Sequence, residues 1–387
     1  VVPNRIAHFW LLTQDEGHRP GSSFTHRQQE HGFYSLLFLA QAISDENLPR
    51  PMHLTVVTNG AAKVRDEALT YPKKATIAGP ARVIPRELQG VTVSTFDVVL
   101  PVAEDVPFWK SGGEATRVET AKGALVDRVL EELLIAPSNR IAALRGAKRF
   151  ERAMLPRKLP KTGSITAETV LITGGFGGIG LSLARDLATK GANLVLVARE
   201  GLPDRQTWAQ YLRRHAPQDR VAQRIRAVEE LEGLGATVMV AEADVCNQAA
   251  MQRAKDAAEE QFGRITGVIH GAGVIADAPL VTKTSSSIED VFTAKLHGTD
   301  VLGQVFPDGA CDWMVLFSSS STVTAPVGQV DYVAANEYLN AFAQSRAGGK
   351  TRVQALNWGI WSEVGMAADA VAARLGAEVE VPVEDVA

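Results

Sequence analysis

Thr169–Gly191 reads TVLITGGFGGIGLSLARDLATKG. A β-branched apolar run enters a cluster of glycines, and an amphipathic helix pattern leaves it. Gly175, Gly177 and Gly180 satisfy G-x-G-x-x-G, while Thr173, Gly174, Gly178 and Gly180 satisfy T-G-x-x-x-G-x-G, with Phe176 and Ile179 between them. Such glycines permit a tight turn and let the free N–H groups and positive dipole end of a helix face a pyrophosphate. Glycine clusters are common in turns, but in this strand-turn-helix setting the cluster predicts dinucleotide binding and an α/β fold.

Downstream the pattern continues as strand NLVLVA, strand TVMVAEA, helix QAAMQRAKDAAEEQF, strand GVIHGAG, helix IEDVFTAKLHGTDVLGQVF, strand WMVLFSS, helix YVAANEYLNAFAQSRA and strand RVQALNW. Regular alternation predicts a doubly wound parallel sheet. Arg199 ends the strand after the glycine turn, where arginine pairs with a 2'-phosphate and an acidic residue would accept from a ribose 2'-hydroxyl. NADPH is therefore the expected cofactor, although Glu200 beside it suits NAD. Asp244 and Val245 end the next strand, where an adenine edge could be held.

The first half also alternates: strand RIAHFW, helix HGFYSLLFLAQAI, strands HLTVVTN and VTVSTFDVV, helix VETAKGALVDRVLEELL and strand NRIAALRG. It reads as a second open α/β sheet, on a Rossmann-like plan shared with the other half. After HLTVVTN comes GAAKVRDE, which lacks the spaced glycines a pyrophosphate needs, so this half reads as non-catalytic scaffold. The aperiodic, Lys- and Pro-rich LPRKLPKTGSITAET separates the halves, predicting a structural subdomain over 1–160 and a catalytic one over 161–387.

Composition excludes several other classes. With 45% hydrophobic and 22% charged residues, the chain is too apolar for a disordered protein. Its 40 basic and 44 acidic residues, net charge -4, form no basic stripe for nucleic acid. No apolar run reaches the length of a membrane span. Cys246 and Cys311 match no metal-ligand spacing and suit a reducing compartment, so a cytoplasmic protein without a metal is expected. The opening VVPNRIAHFW has neither initiator methionine nor signal peptide and reads as part of a longer chain.

HGAG (270–273), the serine run (318–321) and YVAAN (332–336) resemble short-chain dehydrogenases and reductases, and among them the ketoreductase domains of bacterial modular polyketide synthases. The resemblance covers nearly the whole chain, with KATIAGPARVIPRE matching the truncated structural subdomain. LPDRQTWAQYLRRHAPQDRVAQRIRAVEELEGLGA resembles a longer connection found in some of these domains, and reads equally well as a solvated helical insertion.

Ketone reduction needs a hydride donor, a hydrogen bond to the carbonyl oxygen and a proton for the alkoxide. A tyrosine of pKa about 10 supplies that proton efficiently only beside a cation. Most short-chain reductases place a lysine four residues after the tyrosine, on the same helix face. Here that position is the uncharged Asn336. VFTAKLHGTDVL resembles the ketoreductase helix in which lysine and asparagine have exchanged places, which implicates Lys295.

The resemblance thus implies that Tyr332 protonates the substrate, Ser319, thirteen positions earlier, hydrogen-bonds its carbonyl, Lys295 holds the nicotinamide ribose, and Asn336 orients lysine or water. Gly271, Ala272 and Gly273 join the cofactor site. The implied substrate is a β-ketoacyl thioester on an acyl carrier protein, with other domains of the same synthase as partners.

Ile275, Ala276 and Asp277 stand where one stereochemical class has Leu-Asp-Asp, and Thr324 stands where the opposite class often has tryptophan, which implies a D-configured product. Ala334, rather than proline, implies no epimerisation. Gln329, Trp358 and Met366 are assigned to the substrate side, the last within GIWSEVGMAADAVAARLG, a bend and amphipathic segment able to form a lid. Two alternatives stand beside this reading: a free-standing short-chain dehydrogenase, and a redox-inactive scaffold or epimerase domain.

Overall fold

The computed structural model describes residues 2–13, 23–104, 111–156, 158, 168–361 and 365. In chain order the elements are Arg5–Leu11 (β1), Ser23–Gln29 (α1), Ser35–Asp45 (α2), Met52–Asn59 (β2), Ala78–Glu87 (α3), Val91–Val98 (β3), Ser111–Leu134 (α4), Arg140–Arg145 (β4) and Lys148–Glu151 (β5). They continue with Thr169–Thr173 (β6), Gly178–Ala188 (α5), Asn193–Ala198 (β7), Trp208–Arg214 (α6), Arg220–Gly233 (α7), Thr237–Glu242 (β8), Gln248–Phe262 (α8) and Gly267–His270 (β9). Last come Ser285–Phe292 (α9), Gly298–Val305 (α10), Trp313–Ser319 (β10), Ser321–Thr324 (α11), Val330–Ser345 (α12) and Arg352–Trp358 (β11).

Two compact units form. The chain passes from one to the other between Lys158 and Leu159, and Asp277–Thr284 and Ser321–Ser345 pack with the first unit. Helix α12, which carries Tyr332, is therefore part of the first unit. Sequence periodicity marks α12 as a helix and cannot say which sheet it serves.

The first unit holds a sheet in the order β1-β2-β3-β4-β5, parallel except for β5, which runs antiparallel to β4. Every residue of β2 is buried, as a central parallel strand requires. At the carboxyl ends of β1 and β2 lies the ammonium of the buried Lys74. It donates to the Leu11 carbonyl (2.9 Å), the Asn59 carbonyl (3.1 Å), Asn59 Oδ1 (2.9 Å) and Thr13 Oγ1 (2.6 Å). In open α/β sheets such strand ends hold ligands. Here a side chain of the protein satisfies them, which accounts physically for a half without a nucleotide loop.

Helix α3 was not legible by pattern, because Gly79, Pro80 and Pro85 are all breaker residues. Its buried Ala81, Val83 and Ile84 and its packing on α12 override that propensity. Gly79 sits at the closest approach: a Cβ there would come within 2.3 Å of the Val330 carbonyl oxygen and 2.6 Å of Ala334 Cβ. Residues Val330 to Ala343 of α12 are all buried, including Asp331, Asn336, Glu337 and Asn340. Glu337 receives Arg82 and Arg152, each at 2.8 Å, so its burial is compensated.

The second unit holds a fully parallel sheet in the order β11-β10-β9-β6-β7-β8. Chain order reverses between β6 and β9, the switch point of a doubly wound fold. Val170, Ile172, Leu194, Leu196, Ile269 and Phe317 form its core. The 202–236 segment is helical, as expected, but not solvated all round: α7 buries Ala222, Ile225, Ala227, Val228 and Leu231, and Trp208 of α6 joins Ile225 and Val228 in a cluster. Its apolar residues recur at helical spacing among the charges that suggested a solvated face. Among the described residues, no helix is long and apolar enough to cross a membrane.

Candidate functional site

Strand β6 ends at the buried Thr173, and the chain turns through Gly174–Gly177 into α5. Gly180 faces back onto that turn. A Cβ at Gly180 would lie 2.4 Å from the Gly174 carbonyl oxygen, so only glycine allows the first turn of α5 to close over the strand end. Gly174 in turn touches the backbone of Gly271 and Ala272, where a Cβ would meet atoms at 2.7–2.8 Å. The glycine turn and the Gly271–Gly273 segment thus meet backbone to backbone at the switch point. The result is a glycine turn at a helix N-terminus, closed by the Gly177 N–H on the Gly174 carbonyl (2.9 Å), that fits a pyrophosphate.

Arg199 and Glu200 are both exposed at the end of β7. Pattern reading missed a neighbouring cation, Arg224 of α7. Its guanidinium donates to the Glu200 carbonyl (3.3 Å), lies 3.8 Å from the Glu200 carboxylate and sits 5.6 Å over the Phe176 ring. The only signal was a basic residue in a helical insertion, one among many. At the end of β8, Asp244 Oδ1 accepts from the Cys246 N–H (2.9 Å), and the buried Val245 packs where Gly298 has no side chain.

Lys295 lies in a π-helical turn, Thr293–His297, between α9 and α10, a distortion often found at functional positions. Its side chain is buried, and its ammonium donates to the Phe317 carbonyl of β10 at 2.8 Å. Ser319 ends the same strand two residues on, half-buried. Gly273 gives room for the lysine stem, since a Cβ there would stand 2.9 Å from Lys295 Cε. The second unit therefore brings together Lys295, Gly273 and the carboxyl end of β10. Burial pushes the Lys295 ammonium down to about 7.

His270, in the quoted HGAG but given no role from sequence, lies behind this lysine. Its Nδ1 is 2.7 Å from Thr173 Oγ1, tying β6 to β9. Burial, then the charge of Lys295, push its pKa down to about 3, so it is neutral.

Tyr332, Asn336, Asp277 and Gln329 belong to the first unit. Tyr332 is buried in the first turn of α12, its N–H bonded to Asp331 Oδ1 (2.9 Å). Asn336 donates from Nδ2 to the Tyr332 carbonyl at 2.8 Å, one turn back. The Asp331 carboxylate takes the buried Lys283 ammonium at 2.5 Å. Asp277 and Gln329 are joined: Gln329 Nε2 donates to Asp277 Oδ2 at 3.2 Å.

Trp358, in the second unit, packs edge-on against Phe317 and Trp361 at ring separations of 5.8 and 5.3 Å. Ser318 is buried, and the Ser320 N–H donates to the Trp358 carbonyl. Met366 lies outside the described residues, as does the rest of the expected lid apart from Gly359–Trp361 and Gly365.

A family model described as "KR domain" matches residues 168–363, more than half of the chain. The chain is 32% identical over 341 residues to 6-methylsalicylic acid synthase of Aspergillus terreus, covering 87% of this chain and 18% of that protein. It is 32% identical over 335 residues to erythronolide synthase EryA3 of Saccharopolyspora erythraea, covering 86% of this chain and 9% of that protein. The chain thus spans less than a fifth of either relative. Among solved structures, A-type ketoreductases from a modular polyketide synthase superpose with a TM-score of 0.65 at 30% identity, covering 85% of this chain and 63% of that one. By these matches and by its glycine turn, parallel sheet and helix order, the chain belongs to the KR domain family, the ketoreductase oxidoreductases of polyketide synthases within the short-chain dehydrogenases and reductases.

Proposed function

We propose that this domain uses NADPH to reduce the β-keto group of a polyketide intermediate carried as a thioester on acyl carrier protein, giving a D-configured β-hydroxyacyl product without epimerisation. One observation carries the reading. Asn336 occupies the position where most short-chain reductases have lysine, and a different lysine, Lys295, is buried at the end of β10 with its ammonium on the Phe317 carbonyl. A buried lysine whose ammonium is held on the strand that ends at Ser319, two residues before that serine, has no packing rationale that an apolar side chain would not serve better.

The bound nicotinamide supplies the hydride. The turn and helix start of Gly174–Gly180 would hold its pyrophosphate, Arg199 and Arg224 its 2'-phosphate, and Asp244 and Val245 its adenine. Ser319 Oγ hydrogen-bonds the ketone oxygen and Tyr332 donates the proton to it. The Lys295 ammonium favours the phenolate that Tyr332 becomes, and its burial leaves that field unscreened by water. Asn336, by donating to the Tyr332 carbonyl, holds the first turn of α12 in register for the hydroxyl. Asp277 and Gln329 orient the acyl chain, and other domains of the synthase supply and take up the carrier protein.

The test is NADPH oxidation in the presence of a β-ketoacyl thioester surrogate, with chiral separation of the product. Turnover with NADPH and a D-hydroxy product is expected, and the Tyr332→Phe variant should bind NADPH and reduce nothing. Absence of NADPH oxidation by the parent enzyme would return the domain to a scaffolding or epimerising role, and an L-hydroxy product would overturn the stereochemical assignment.

A further inference from the structure

Two segments of the first unit outside its sheet carry Asp277 and Gln329, both assigned to the substrate: Asp277 and its successors up to Thr284, and Ala325 to Gln329, which leads into α12. They touch through the Ala278 N–H to Gly328 carbonyl bond (3.0 Å) and the partly exposed Gln329–Asp277 pair. Backbone groups in such segments need partners that no ladder supplies. One side chain provides two of them.

Glu87, the last residue of α3, accepts the Leu280 N–H on one carboxylate oxygen (2.6 Å) and the Gly328 N–H on the other (2.9 Å). Gln41 of α2 holds the opposite side of the first segment, donating to the Leu280 carbonyl (3.0 Å) and the Lys283 carbonyl (2.9 Å). Leu280 is thus gripped at both its N–H and its C=O. Leu280 and Gly328 are buried, so water does not replace these bonds. Only a carboxylate offers two acceptor oxygens and no donor; glutamine in the same place would turn an N–H₂ towards one of the two amides.

We propose that Glu87 is a positioning residue that sets the spacing of Asp277 and Gln329, and with it the face of the ketone presented for reduction. This rests on the reductase activity proposed above. The half without a nucleotide loop would then act on the selectivity of the reaction, through one carboxylate.

The test is Glu87→Gln in the full chain, read in two ways. Without substrate, amide hydrogen exchange across 277–284 and 325–331 should accelerate about fivefold, as for one lost hydrogen bond, while exchange in β6 and β7 stays unchanged. With a β-ketoacyl thioester, the minor hydroxy enantiomer should rise and the thioester KM should increase severalfold, with NADPH affinity unaltered. Gln41→Met, which removes the second grip without burying an unpaired charge, should move both readouts in the same direction and serves if Glu87→Gln does not fold. Unchanged exchange overturns the clamp whatever the activity. Faster exchange with parental enantiomer ratio and KM overturns its role in selectivity. A parent that reduces nothing overturns the proposed function, and the selectivity role with it, while the substrate-free exchange still reports on the clamp.

Discussion

Lys283 and Asp331 form an ion pair of 2.5 Å with both side chains withdrawn from solvent, and Asp331 directly precedes Tyr332. Breaking such a pair leaves a buried charge uncompensated. Asp331→Asn is expected to lower stability by about 3–5 kcal/mol, and the double variant Lys283→Met/Asp331→Leu to recover most of that loss. Urea denaturation of Lys283→Met, Asp331→Leu and the double variant measures the coupling; additive effects would show the pair to be energetically independent.

Lys295 carries a cost that depends on pH. An unfolded lysine titrates near 10.5 and the folded one at about 7, so between those values the unfolded chain binds more protons and parental stability rises with pH. Lys295→Met has no such cost. Its advantage in stability should be complete below about pH 7 and shrink towards pH 10.5, while ketone reduction is lost. Thermal unfolding at a series of pH values checks this, and an advantage that grows with pH would contradict it.

Arg224 of α7 donates to the carbonyl of Glu200, the residue after Arg199 at the end of β7. A charge-assisted hydrogen bond is worth about 1.5–3 kcal/mol, so Arg199→Ala should weaken NADPH binding roughly ten- to a hundredfold and leave NADH affinity nearly unchanged. Arg224→Ala should have a smaller effect in the same direction, because this arginine also engages Glu200. Fluorescence titration with both nucleotides decides between a 2'-phosphate role and a solvated loop.

Gly79 and α12 leave no room for a methyl group, with the Val330 carbonyl oxygen 2.3 Å from where a Cβ would be. Gly79→Ala should cost about 1–3 kcal/mol by overpacking, although alanine is the better helix former. It should also raise the thioester KM, since Val330 lies between Gln329 and Tyr332. A stabilised variant would mean that α3 and α12 have slack.

Much of this architecture was legible from sequence. The strands of the nucleotide-binding sheet announced themselves as short β-branched runs, and Gly174 to Gly180 as the turn after the first of them. Lys295 stands out through the resemblance of VFTAKLHGTDVL to a ketoreductase helix, set beside the uncharged Asn336. Four features were hidden. Helix α3 is written in glycine and prolines and forms only because α12 covers it. Arg224 and His270 gain significance from what they touch, and nothing in their spacing announces it. Strand β5, KRFE, has no apolar face and exists as the partner of β4.

The allegiance of α12 to the first unit bears on how such domains can be exchanged between proteins. The family match starts at residue 168, which invites a cut just before β6. A fragment made that way keeps Tyr332 and the pair Lys283–Asp331, but strips Glu337 of both Arg82 and Arg152 and uncovers the flank of α12 that rests on Gly79. A transplant intended to carry the proposed reductase activity should therefore take the chain from β1 onwards, because the helix that carries Tyr332 packs on Gly79, Arg82 and Arg152, all of them upstream of that cut.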